Sequence, residues 1–122
     1  DVGSGEATLF ITRSPLGATL LRDKAAAIGL RRPIRVRTIG LIDYCAAHRL
    51  DGFDIIKLDA EGHELPILDS ALPVFARARL VFVRVFPPRS TREAVAARLA
   101  THGFSEARED HRGGDEHLFV RI

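Results

Sequence analysis

The chain has 122 residues, 46% hydrophobic and 28% charged, with a net charge of +2. That length and balance suit one globular domain and exclude disorder. No apolar run approaches the roughly 20 residues of a membrane-spanning helix and no basic-then-apolar leader opens the chain, so a cytoplasmic location is expected; a lone cysteine, Cys45, excludes an internal disulfide and a cysteine-based zinc site.

Ala7 to Thr12 (ATLFIT) and Ile34 to Ile39 (IRVRTI) have the β-branched, alternating pattern of strands and are expected to pair as a hairpin over residues 1–40, with a loop from Pro15 to Gly29. Leu41 to His48 suits a short helix. From residue 53 to 122 strands and helices alternate. Phe53 to Leu58 (FDIIKL) is a short apolar strand after Asp51-Gly52. Leu65, Leu68, Leu72 and Phe75 recur at helical spacing, with Pro66 in the first turn and Pro73 placed to kink or end the helix. Leu80 to Phe86 (LVFVRVF) is the strongest strand, stopped by Pro87-Pro88. Ser90 and Glu93 have the spacing of a capping box, which opens a helix through His102 before Gly103. Phe104 to Glu109 and His117 to Ile122 are the final strands, with a polar turn at Gly113-Gly114 between them. This order predicts a mostly parallel sheet covered by helices, in a single domain.

Of the 18 basic residues only Lys24 and Lys57 are lysine. Such an Arg-rich, Lys-poor composition is that of a GC-rich bacterial genome. The densest run, Arg31, Arg32, Arg35 and Arg37, lacks the interleaved aromatic residues of a nucleic-acid stacking platform, so nucleic-acid binding is not expected. His48, His102, His111 and His117 have no metal-ligand spacing, and Cys45 reads as core.

One segment concentrates chemistry: Lys57-Leu58-Asp59-Ala60-Glu61-Gly62-His63-Glu64, at a strand's carboxyl end and a helix start. In open parallel sheets ligands bind at that end of the strands. Gly62 permits a sharp turn. Asp59, Glu61 and Glu64 could hold a divalent metal, act as a general base or bind ribose hydroxyls; equally, Asp59 or Glu61 could merely cap the next helix. Lys57 could simply pair with Asp59 or Asp54. Arg84 lies among apolar neighbours, where an unpaired charge is costly, so it is expected to meet Asp59 or Glu61.

The string IIKLDAEGHELPIL resembles the signature of FkbM-type methyltransferases, an apolar-Lys-apolar-Asp-apolar-Glu-Gly-x-Glu pattern followed by a leucine-containing helix. The segments Val36-Arg37-Thr38-Ile39 and GEATLFIT (Gly5 to Thr12) resemble weaker stretches of that family, in the same order. The resemblance implies an α/β fold: a Rossmann-like class I methyltransferase sheet, truncated, lacking the N-terminal cofactor-binding strands. It implies S-adenosylmethionine as cofactor and methylation of a hydroxyl on a small molecule or sugar. By the same resemblance Asp59 is the first choice for acceptor contact or general base, with Glu61 and Lys57 beside it as catalytic residues. Gly62, His63 and Glu64 are implied as cofactor-binding residues, and no metal is implied.

The Gly-rich loop of such sheets is not visible: Asp1-Val2-Gly3-Ser4-Gly5 has no apolar strand before it. Together with the absence of methionine and the start at Asp1, this leads to the expectation that the chain is the later part of a longer protein. The alternative function is a non-catalytic remnant or interaction module that keeps the half-sheet. The strand Phe53 to Leu58, left bare on one side, would then be an apolar edge open to self-association.

Overall fold

The computed structural model describes residues 4–14, 16–107 and 114–122. The described residues form two compact units, one through Ile39 and one over Gly40–Ile122.

In the first unit β1 (Gly5–Thr12) pairs antiparallel with β2 (Leu30–Thr38), from Gly5 opposite Thr38 to Thr12 opposite Leu30. Between them, where a loop was expected, lies α1 (Arg22–Ile28), closed by Gly29 at φ 94°. Ala25 is its single buried residue, so this short helix has no apolar stripe for periodicity to detect. The backbones of Phe10 and Thr19 exchange two hydrogen bonds (2.8 and 3.1 Å), which fold the connecting segment back onto β1.

The second unit runs α2 (Leu41–Ala47), β3 (Ile55–Leu58), α3 (Glu64–Phe75), β4 (Leu80–Arg84), α4 (Arg92–Ala100), β5 (Phe104–Glu106) and β6 (Glu116–Arg121). The sheet order is β3-β4-β6-β5. β3 and β4 are parallel, whereas β6 is antiparallel to both its neighbours. This corrects the mostly parallel sheet expected from the alternation of elements. The connection from Glu106 to Glu116 is shorter than the dozen or more residues of a parallel crossover, so β6 returns antiparallel to β5. The end of the expected strand at Glu109, with His111 and Gly113, lies outside the described residues.

Alternation along β4 divides the sheet into two faces. Val81, Val83 and Val85 are buried with Phe119 of β6 against Leu68 and Phe75 of α3 and Val95 and Leu99 of α4, all at most 3% exposed. Burying each such side chain contributes roughly 1.5–3 kcal/mol before its entropy cost. On the opposite face Ile55 is 60% and Phe82 38% exposed. That face carries the residues discussed below.

Two helix details matter for the site. α3 is broken at Ala71 (φ −123°, ψ 17°), because Pro73 has no N–H for the helical bond and its ring crowds the preceding turn. α4 is capped by Thr91, whose hydroxyl accepts the Ala94 N–H at 3.2 Å. The cap is therefore not Ser90, as the capping-box spacing suggested; Ser90 is fully buried and used elsewhere. Among the described residues no helix is long and apolar enough to cross a membrane.

Candidate functional site

β3 ends at the buried Leu58, and the chain then makes a tight turn in which the His63 N–H bonds the Ala60 carbonyl at 3.2 Å. Its two central residues both have positive φ, Glu61 at 49° and Gly62 at 109°. Glycine adopts that region freely. A glutamate there costs roughly 1–2 kcal/mol, which the surrounding contacts must offset.

The offset comes from Glu64, the first residue of α3 and completely buried. Its Oε1 accepts the backbone N–H groups of Ala60 (2.9 Å) and Gly62 (3.1 Å), and its Oε2 accepts Gly62 N–H (3.1 Å) and the Ser90 hydroxyl (2.6 Å). The Ser90 oxygen in turn accepts the Phe86 N–H at 2.8 Å. A buried carboxylate is tolerable only with such donors around it. The result ties the turn after β3 to the turn after β4, two segments at the carboxyl ends of neighbouring parallel strands.

The other charged residues face outward on the sheet's open side. Asp59 lies 3.7 Å from the Arg84 guanidinium, with side chains 34% and 46% exposed. Arg84 also sits over the Phe86 ring, 5.1 Å from its centroid. The expected contact between Arg84 and a strand-tip carboxylate is thus present, but on an open face and not inside an apolar core. Lys57 pairs at 3.5 Å with Glu116 of β6, not with Asp59 or Asp54, because the antiparallel return of β6 brings a carboxylate beside β4 at the Lys57 end of the sheet. His63 is the half-buried N-cap of α3, and its carbonyl accepts the Ile67 N–H.

The structure therefore separates the six residues singled out in the sequence. Asp59 and Lys57 point to solvent, while Gly62 and Glu64 are buried and bonded to each other. Asp59 and Glu64 do not converge, and among the described residues no group of three His, Cys, Asp or Glu side chains is placed to hold a metal ion. The sequence reading took Ser90 only for a helix cap and passed over Glu116 and Phe82, which gain meaning only from strand order.

A further charged cluster joins β5, β6 and α4. The Glu106 carboxylate meets Arg92 Nε at 2.9 Å and His117 Nδ1 at 2.9 Å. The Arg92 guanidinium, followed by His117, holds the Glu106 carboxyl below the usual carboxylate range against an opposing contribution from burial.

Comparison with known proteins adds one positive finding. A family model described as the methyltransferase FkbM domain matches residues 1–116. Neither a curated protein nor a solved structure matches the chain.

Proposed function

The chain belongs to the FkbM methyltransferase domain family, and from that premise we propose that it serves S-adenosylmethionine-dependent methylation of a hydroxyl on a small molecule or sugar, with Asp59 as the general base. The observation that carries this reading is the placement of the motif. Asp59 is a solvent-accessible carboxylate at the carboxyl end of a parallel strand, next to a turn held in a strained conformation by a buried carboxylate. Strain maintained in that way is a feature of sites where geometry matters.

The donor set suits the reactive end of such a cofactor. An exposed carboxylate is compatible with a sulfonium cation, and Asp59 is the side chain that would face it. Gly62 and Glu64 enter through the shape of the turn, since the Gly62 N–H and both Glu64 oxygens are already engaged. His63, at the helix start, would border the same end. When bound, S-adenosylmethionine supplies an electrophilic methyl group. Asp59 accepts the proton of the acceptor hydroxyl, which raises the nucleophilicity of its oxygen. Arg84, 3.7 Å away, orients the carboxylate until a hydroxyl displaces it. Lys57 and Glu61 complete the charged surround. In this reading the second unit is the acceptor side of a Rossmann-like sheet.

Calorimetric titration with S-adenosylmethionine, followed by transfer of labelled methyl to a panel of hydroxyl acceptors, tests the proposal. Asp59→Asn should lower transfer by roughly 10²–10⁴-fold while leaving cofactor affinity unchanged. Undiminished transfer in that variant removes Asp59 from the role. Absence of both binding and transfer in the wild-type chain favours the alternative, an interaction module that pairs through the exposed β3 edge. That alternative has its own support in Ile55, which lies 60% exposed on the edge strand.

A further inference from the structure

Positive charge is concentrated in the first unit. Residues 3–39 hold seven basic residues against two acidic ones, a net of +5, whereas the whole chain is only +2. Within this unit lies a cavity of about 550 Å³ whose lining includes Thr8 and Phe10 of β1, Leu30, Pro33 and Arg35 of β2, and Arg22 of α1. That volume is within the range of small-molecule sites. Thr8 pairs with Arg35 and Phe10 with Pro33, so these four side chains share one face of the hairpin. Phe10, Leu30 and Pro33 supply an apolar wall, and the two arginines supply cations.

Backbone bonds fix the start of α1 beside that wall. Thr19, buried and bonded to the Phe10 backbone, also accepts the Leu21 N–H on its side-chain oxygen at 3.2 Å. Leu21 is the N-cap of α1, so Arg22 follows a residue tied to the strand that carries Phe10. Among the described residues Arg22 meets no carboxylate. Arg35 meets Glu6 at 3.3 Å, with both side chains exposed, and Glu6 does not line the cavity. A guanidinium has five donors and an exposed pair of this kind is weak, so most of the capacity of both arginines is open.

The pair of cations selects the ligand. A carboxylate fills its two oxygens with one guanidinium fork. A phosphate monoester carries nearly two charges and three terminal oxygens, and can take a fork from each arginine. An apolar group on its ester oxygen would then lie against Phe10 and Pro33. We infer that this cavity binds a soluble organic phosphate, a phosphate monoester with a compact apolar body, between Arg22 and Arg35. The inference stands apart from the methyl-transfer reading, because no residue of that reading lines the cavity.

Amide-resolved NMR titration of the full chain with benzyl phosphate, at fixed ionic strength and with no methyl donor, tests it. Saturable shifts are expected at Thr8, Phe10, Arg22 and Arg35. Inorganic phosphate and benzoate should each bind roughly tenfold more weakly, the first lacking the ring and the second one of the two forks. Arg22→Gln and Arg35→Gln should each weaken benzyl phosphate roughly tenfold. Arg32, exposed and opposite Ile11, is three residues from Arg35 and so lies on the other face of the hairpin. Arg32→Gln removes the same charge and should change affinity by less than about twofold. Failure of benzyl phosphate to saturate overturns the inference, as does equally tight binding of inorganic phosphate or benzoate. An equal loss in Arg32→Gln assigns the binding to the unit's general positive charge and overturns the cavity. Phosphatidic acid vesicles form the last arm: binding to them without any response to benzyl phosphate places the phosphate on a lipid and overturns the soluble ligand.

Discussion

The Ser90 hydroxyl donates a 2.6 Å hydrogen bond to the Glu64 carboxylate, with both residues fully buried. Through it, the turn that presents Asp59 and the turn that follows β4 become one unit. Ser90→Ala leaves a carboxylate oxygen and the Phe86 N–H short of a partner. It should cost about 1–3 kcal/mol. Glu64→Gln should cost at least as much, because an amide nitrogen would face backbone donors. Thr91→Ala, which removes only the α4 cap, should cost about 1 kcal/mol. Denaturant unfolding of the three variants checks the ranking. If Thr91→Ala proves worse than Ser90→Ala, Ser90 does not link the turns.

Gly62 sits at φ 109° inside the turn. Gly62→Ala forces a Cβ into that region and should destabilise the protein by roughly 1–3 kcal/mol. A thermal melt unchanged from wild type would show that the turn readily adopts another conformation.

Acid should weaken the β5–β6–α4 cluster. The Glu106 carboxyl is held low first by its hydrogen bond to Arg92, so the native state binds its proton less readily than the unfolded chain does. Its contribution to stability is complete above the unfolded value of about 4.3 and is lost as pH falls through that value toward the lower folded one. Unfolding midpoints measured from pH 6 downward should fall in that window, and Glu106→Gln should flatten the decline. An equally steep decline in the variant would assign the acid sensitivity to other groups.

The Arg84–Asp59 pair contributes little to the fold. Both side chains are substantially exposed and the contact is 3.7 Å, so Arg84→Ala should alter stability by less than about 1 kcal/mol. A substantially larger loss in chemical denaturation would make the pair a structural anchor and weaken the case for Asp59 as a group available to a ligand.

Legibility in the sequence followed the range of the interaction. β4 was readable because five alternating residues state both its type and its buried face. The start of α3 and the positive-φ turn before it were readable from Gly62 and the leucine spacing. α1 was not, since one buried alanine makes no pattern. Ser90 was misassigned because the hydroxyl of a residue just ahead of a helix has two uses. The capping use is local, whereas the Glu64 bond requires a partner 26 positions away.

The sequence by itself determined the alternation of elements in the second unit, the family and the location of the charged motif at a strand tip. Those depend on periodicity and on residues adjacent in the chain. Only the tertiary structure decided which charges meet. Lys57 finds Glu116 across 59 positions and Asp59 finds Arg84, because β6 returns antiparallel beside β4 and fixes which side chains share the open face. Strand order and direction follow from how connections of a given length can close, and no residue pattern within a single strand encodes that closure.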